Sequence, residues 1–242
     1  MTPMDEILQL VQQMPKETGY PFHLANRSAL VNYERIAKET ASLAGSGRLL
    51  DWGCGYGQMT FLLRQMGTEV VPYDISIPSN ISGISPLSKI DVIIGPAGSS
   101  LPFSDDGFDA VLSCGVLEHV PEPEESLAEI ARIIKPGGHF LIYMLPNRYS
   151  WAEWISRIRG ISAHPVLYTP GPTKRMLERR GFRVIKMRKY NFLPKNLTGL
   201  PGIFRKIYDS YPGFVCGVDN LLSRIPIINQ ICGVLEIQAV KL

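Results

Sequence analysis

Arg48-Leu49-Leu50-Asp51-Trp52-Gly53-Cys54-Gly55-Tyr56-Gly57 sets an apolar run ending in an acid directly before three alternate glycines. The run reads as a buried strand. Met59, Phe61, Leu62 and Met66 then read as the apolar side of a helix stopped by Gly67. Strand, glycine loop and helix in that order form a setting in which backbone closes around a ligand. A dinucleotide fingerprint would need glycine at 58, where Gln58 stands, and the Asp51 carboxylate would repel a pyrophosphate. The loop therefore reads as one for a cationic ligand bearing an ammonium and a sulfonium. Asp51 favours the charge, and the glycines admit close backbone approach.

Outward from this loop, apolar runs of strand length recur at Glu69 to Tyr73, Ile90 to Ile94, Phe108 to Ser113, His139 to Leu145, Phe182 to Tyr190 and Val234 to Leu242. Helical patterns lie between several of them. One runs from about Pro123 to Lys135, with Glu124 and Glu125 in its first turn and Pro136-Gly137-Gly138 at its end, and another from Thr173 to Arg180, ended by Gly181. Such alternation predicts an α/β fold with a parallel sheet. Upstream, Met4, Ile7, Leu8 and Val11 mark a short amphipathic helix and Arg27 to Leu43 a second. The expected organisation is an N-terminal helical cap over 1–46, a core over 47–190 and 233–242, and an insertion over 191–232.

Three further elements stand in order after the loop. Asp74 ends the second strand, 21 residues beyond Gly53, where a carboxylate can accept both hydroxyls of a ribose. Leu101-Pro102-Phe103 precedes the run Phe108 to Ser113 with Gly115-Val116-Leu117-Glu118-His119-Val120 behind it, and Ile134-Lys135-Pro136-Gly137-Gly138 follows. With these motifs over residues 48–145, the chain resembles the class I S-adenosylmethionine-dependent methyltransferases, in particular the broad ubiquinone-biosynthesis-type group. That resemblance implies a Rossmann-like, seven-stranded, mostly parallel sheet of order 3-2-1-4-5-7-6 with helices on both faces, and S-adenosylmethionine as cofactor. It assigns Asp51, Gly53, Cys54, Gly55 and Gly57 to the methionine part, Asp74 and Ile75 to ribose and adenine, and Cys114 and Gly115 to the same pocket. Where relatives carry an acid before Leu-Pro-Phe this chain has Gly95-Pro96-Ala97-Gly98-Ser99-Ser100, so adenine contact is expected from backbone or from Ser99, Ser100 and Leu101. The helix relatives place between strands 2 and 3 is replaced by an expected loop over 77–86. Gly115 replaces the first acid of the Glu-x-x-Glu-His metal motif of some relatives, so no metal is expected.

His119, His164 and His23 are the candidate bases for a hydroxyl acceptor, since an imidazole titrates near neutral pH. Each has a plainer reading as a surface or loop-ordering histidine. Trp151 and Trp154 read equally as a pocket wall or as packing of a lid helix. The insertion mixes Phe192, Leu193, Leu197, Leu200, Ile203, Phe204, Ile207, Tyr208, Tyr211 and Phe214 with Lys195, Arg205 and Lys206. That mixture suits peripheral membrane contact or a lipid-linked anionic acceptor, and equally a packed subdomain or dimer seam.

Length and composition bound these readings. At 242 residues, 45% apolar and 19% charged, the chain suits one large core with an extension and is a poor fit to disorder or coiled coil. Four cysteines without C-x-x-C spacing, no basic leader and no charge-free apolar run of ~18 residues suit a reducing cytoplasm. Residues 1–139 hold 9 Lys/Arg against 17 Asp/Glu and residues 140–242 hold 16 against 5, so the chain is bipolar. The expected acceptor is a small, lipid-linked or glycan-linked metabolite methylated on oxygen. A nucleic-acid-directed protein using the basic half is the second reading, without a base-stacking or groove-binding motif behind it. A cofactor-binding regulator without turnover is the third.

Overall fold

The computed structural model describes residues 3–16, 20–96, 98–160, 164–195 and 202–242. Its strands are β1 (Arg48–Trp52), β2 (Glu69–Asp74), β3 (Ile93–Ile94), β4 (Phe108–Cys114), β5 (Ile134–Pro146), β6 (Phe182–Tyr190) and β7 (Val234–Lys241), in one sheet of order β3-β2-β1-β4-β5-β7-β6. Pairing is parallel from β3 to β5, and β7 runs antiparallel to both β5 and β6. This is the expected Rossmann-like order.

The helices are α1 (Pro3–Gln13), α2 (Arg27–Ala44), α3 (Gln58–Gln65), α4 (Ser85–Ser88), α5 (Pro123–Ile133), α6 (Trp151–Ile158), α7 (Pro170–Arg179), α8 (Gly202–Ser210), α9 (Pro212–Leu222) and α10 (Pro226–Gln230). Side chains alternate across the sheet, so two cores form. Leu49, Leu112, Leu141 and Tyr143 bury against Ile7, Val11, Ile36 and Leu63 of α1 to α3. Leu50, Val111, Phe140 and Ile142 bury against Leu127, Ile130 and Leu177 of α5 and α7. Each fully buried Leu or Ile contributes about 1.5–3 kcal/mol. Helix starts follow local chemistry: the Asn26 side chain accepts from Ala29 N–H to cap α2, and Ser150 caps α6 through Glu153 N–H.

Three expectations change. The segment 77–86, expected as loop, holds a 3₁₀ turn at Ile81–Gly83 and runs into α4, because buried Ile84 and Leu87 draw it onto the first core and a proline sits in the first helical turn. The strand expected over Ile90 to Ile94 shrinks to Ile93–Ile94, since Ile90 packs beside the glycine loop instead. Among its described residues the insertion, left open between a membrane surface and a packed subdomain, forms α8, α9 and α10, with α8 and α9 packed on α2. Ser28 Oγ donates to Tyr208 O (2.6 Å), and Arg27 N–H donates to Asp209 Oδ1 (2.8 Å). Lys195, read among the insertion's cations, is buried and paired with buried Asp219 at 2.7 Å, and Tyr208, read among its apolar side chains, is buried as well. Leu197 and Leu200 lie outside the described residues.

The basic run of the second half meets the acids of the first. Arg179 and Arg180 pair with Glu124, Lys186 and Arg188 with Glu39, and Lys241 with Asp106. Tertiary pairing thus takes these five side chains out of any continuous basic face, which counts against the nucleic-acid reading.

Candidate functional site

The parallel strands end on one edge, and the loops there converge. Gly53 and Cys54 donate their N–H groups to Tyr73 O, which ties the glycine loop to β2, and Gly57 N–H closes the turn on Cys54 O at 2.7 Å. Gly53 and Gly57 both have positive φ, and a Cβ at either would come within 2.7 Å of Val116 or Ile90. Gly55 differs. Its φ is +54°, and a Cβ there would meet nothing within 4 Å, so its backbone faces open space.

Asp74 holds that space in shape. Its Oδ2 accepts from Gly55 N–H and its Oδ1 from Ile75 N–H, both at 2.7 Å. A carboxylate has about four acceptor sites, so lone pairs remain for further donors. Ile75 beside it is 56% exposed, an apolar face open at the end of β2. Asp51 is buried and accepts from Thr60 Oγ1 at 2.6 Å, and burial pushes its carboxyl up to about 6. Buried Gln58 Oε1 has no partner among the described residues. An open glycine backbone, a carboxylate with spare acceptor capacity, an apolar shelf and an orphaned amide oxygen fit S-adenosylmethionine. Asp51, Gly53, Cys54, Gly55 and Gly57 would surround its amino-acid part, and Asp74 and Ile75 its ribose and adenine.

Other expected contacts sit differently. Leu101 is packed in the second core, its N–H given to Glu129 and its carbonyl taken by Arg132, so it has no polar group left for adenine. Ser99 Oγ reaches Glu122 and Glu125 at the start of α5, while Ser100 is exposed. Cys114 ends β4, and burial raises its thiol well above the ordinary value. Gly115 follows at φ +73°, with Glu118 Oε1 3.8 Å from where its Cβ would lie.

Beyond Gly115 lies a cluster of acids and imidazoles. Glu118 is 2% exposed, its Oε2 unpartnered among the described residues, and burial pushes its carboxyl up to about 7. His119 Nε2 stands 3.9 Å from Glu118 Oε1, and burial lowers its pKa. The His119 and His164 rings lie 6.4 Å apart. His164 Nδ1 meets Glu153 Oε1 at 2.6 Å, and that bond raises the imidazole pKa. His23 stands apart from this pair. It lies within the cap beside Tyr33 and Tyr56, and burial lowers it to about 4, which makes it a weak base.

Glu153 and Glu118 join the candidate histidines here without standing among the candidate residues of the sequence. Glu153 lies 11 residues before His164, a spacing with no local signature, and Glu118 carries a signal only as part of the incomplete metal motif. Trp151 and Trp154 separate: Trp151 Nε1 donates to Phe192 O and serves packing, whereas Trp154 is 66% exposed. No group of three His, Cys, Asp or Glu placed to hold a metal occurs among the described residues.

Glu118 also makes stability depend on pH. Between about 4.5 and 7 the folded carboxyl keeps a proton that the unfolded chain has lost, so stability falls as pH rises through that window. Glu118→Gln is expected to remove the fall, stabilising the protein by up to about 3 kcal/mol at pH 8 and little at pH 4. Thermal unfolding at both pH values checks this, and an unchanged pH slope would refute it.

Comparison with known proteins gives the family of the chain. The profile of a family described as a methyltransferase domain matches residues 23–187. A demethylmenaquinone methyltransferase from Renibacterium salmoninarum is 34% identical over 131 residues, covering 52% of this chain and 55% of the relative. A ubiquinone biosynthesis O-methyltransferase from Xanthomonas oryzae pv. oryzae is 29% identical over 133 residues, covering 50% and 55%. The chain thus spans about half the length of these curated relatives. A crystal structure of a SAM dependent methyltransferase from Archaeoglobus fulgidus shares the fold, with TM-score 0.57, 23% identity and coverage of 87% and 93%.

Proposed function

The chain belongs to the methyltransferase-domain family, and from that premise we propose that it transfers a methyl group from S-adenosylmethionine to an oxygen of a small, lipid-linked or glycan-linked metabolite. The observation that carries the oxygen assignment is the hydrogen bond of 2.6 Å between His164 Nδ1 and Glu153, beside His119 and the buried Glu118. A hydroxyl acceptor must give up a proton as it is methylated, and a histidine oriented by a carboxylate is a suitable recipient. His164 Nε2 is the proposed acceptor of that proton, and Glu153 stabilises the imidazolium that results. When bound, S-adenosylmethionine supplies an electrophilic methyl carbon on its sulfonium. The chain's own contribution is orientation and exclusion of water, by Asp74 and the glycine loop on the donor side and by the cap and α6 over the edge. Two of the relatives named above carry menaquinone or ubiquinone biosynthesis in their names, which supports a lipid-linked acceptor.

Incubation with methyl-labelled S-adenosylmethionine and fractionated extract tests the reading. Label in a lipid or small-molecule fraction, released as methyl iodide by hot hydriodic acid as an O-methyl group is, supports it. Label in RNA or protein alone refutes it.

Peripheral membrane contact belongs to the same proposal. Ile203, Phe204 and Ile207 of α8, with Tyr211 behind them, are exposed, and Lys206 lies among them. Among the described residues no helix is long and apolar enough to cross a membrane. Burying one such ring is worth about 1.5–3 kcal/mol, and each basic residue near an anionic surface adds about 1. Co-sedimentation with anionic vesicles at low salt is expected to fall ~10-fold or more in an Ile203→Ser, Phe204→Ser, Lys206→Glu variant. Equal sedimentation of variant and parent would return α8 to a packed subdomain or dimer seam.

A further inference from the structure

Between α2, the end of β6 and α9 lies a cavity of about 470 Å³. Asn32, Arg35 and Glu39 of α2 form one wall, Arg188 and Tyr190 of β6 a second, and Arg224, just past α9, stands at the rim. The third wall exists only because the insertion folds back over α2.

The charges around this cavity do not cancel. Arg35 binds Glu236 and Glu39 at 2.5 and 3.3 Å, and its guanidinium lies 4.5 Å above the Tyr190 ring. Arg188 binds the same two carboxylates, and Lys186 adds a third contact to Glu39. Arg224 is exposed and pairs with no carboxylate among the described residues. Three arginines and one lysine against two glutamates leave two positive charges over. A concave, part-buried site with that excess favours a dianion, and a phosphate ester at neutral pH carries about −1.5 to −2. Arginine forks suit its oxygens.

The cavity also adjoins the edge where methyl transfer is placed. Asn32 Nδ2 donates to Met144 Sδ at 3.5 Å, and Met144 Cβ lies 3.9 Å from where a Cβ on Gly115 would stand. Met144 itself has φ +61°, a strained value for a side-chain-bearing residue, at the shift in β5 register between Ile142 and Leu145. One layer of side chains therefore separates the arginine-lined cavity from the site of Gly115.

We propose that this cavity, between α2, β6 and the insertion helix α9, binds a phosphate group of the methyl acceptor. The acceptor is then a phosphate ester, a class that includes lipid-linked and glycan-linked intermediates. This rests on the methyltransferase reading, because the cavity is assigned to the acceptor of that reaction.

Inorganic phosphate is the probe, titrated calorimetrically into the full chain at constant ionic strength. Arg224→Glu reverses the rim charge without breaking a pair. Gly217→Phe fills the cavity from α9, where a Cβ would meet nothing within 4 Å. Phosphate is expected to bind the parent and to bind each variant ~10-fold or more weakly, the loss expected for a charge-assisted contact. S-adenosylmethionine affinity should be the same in all three proteins. Labelled product from extract should be retained on an anion exchanger and released after phosphatase treatment. Absence of phosphate binding, equal binding in all three proteins, or an unretained product overturns the proposal while S-adenosylmethionine binding leaves the methyltransferase reading standing. Failure of the parent to bind S-adenosylmethionine overturns that reading, and the acceptor role with it.

Discussion

Replacing His164 by Ala, or Glu153 by Gln, is expected to lower methyl transfer to a hydroxyl acceptor ~10²-fold or more while S-adenosylmethionine affinity is kept. The expectation rests on geometry first. His164 and Glu153 share a hydrogen bond of 2.6 Å, and the rings of His164 and His119 are 6.4 Å apart beyond Gly115. The pH profile separates a base from a packing residue. The Glu153 hydrogen bond raises the His164 pKa, so the imidazole is protonated, and useless as a base, below a value above 6.5. The rate should rise with pH through that value. In Glu153→Gln the limb should move to lower pH while the maximal rate falls. The ion pair contributes stability at low pH and loses it as pH rises through the folded pKa, so folding of the variants is best compared at pH 8. His119→Ala and His23→Ala should cost less, because burial lowers both imidazoles. Near-normal turnover in both His164→Ala and Glu153→Gln would leave positioning alone, or an amine acceptor, as the explanation.

Asp74→Ala should weaken S-adenosylmethionine and its demethylated product by roughly 10- to 150-fold, from about 1.5–3 kcal/mol of charge-assisted hydrogen bonding. The carboxylate serves two ends: it holds Gly55 N–H and Ile75 N–H in the free protein, and it has acceptor capacity left for ribose hydroxyls. Asp74→Asn keeps one oxygen for Gly55 and loses the charge, so an intermediate affinity distinguishes ribose recognition from loop support. Calorimetry supplies both values, and NAD should give no heat. Unchanged affinity in Asp74→Ala would remove this residue from the site.

The two experiments bear on parts of the site with different visibility in the sequence. The donor side was legible because its chemistry is local. Asp51, Gly53, Gly55, Gly57 and Asp74 fall within 24 residues, and their arrangement follows from a strand ending, a tight turn and the next strand beginning. Leu101 shows the limit of that logic. The motif expectation carried it to adenine, yet Glu129 and Arg132, on the next helix, take its backbone groups. The proposed acceptor side was legible only as three separate histidines. Nothing in the spacing of His119, Glu153 and His164 says that two of them meet while His23 stays apart within the cap, because that depends on where the fold carries α6.

The sheet order came from the motif resemblance, whereas hydrophobic periodicity and the succession of strand, glycine loop and helix were enough, on the sequence alone, for an α/β fold, a parallel sheet and a tight turn at Gly53 to Gly57. These are properties that neighbouring residues impose on one another through alternation, turn sterics and strand succession. Only the tertiary structure decided where the charges of a bipolar chain go. It paired Arg179 and Arg180 with Glu124, buried Lys195 against Asp219, and left Arg35, Arg188 and Arg224 around a cavity closed by the insertion. Charged side chains choose partners by distance and burial after the chain has folded, and residues as far apart as Arg35 and Glu236 carry no local sign of that choice.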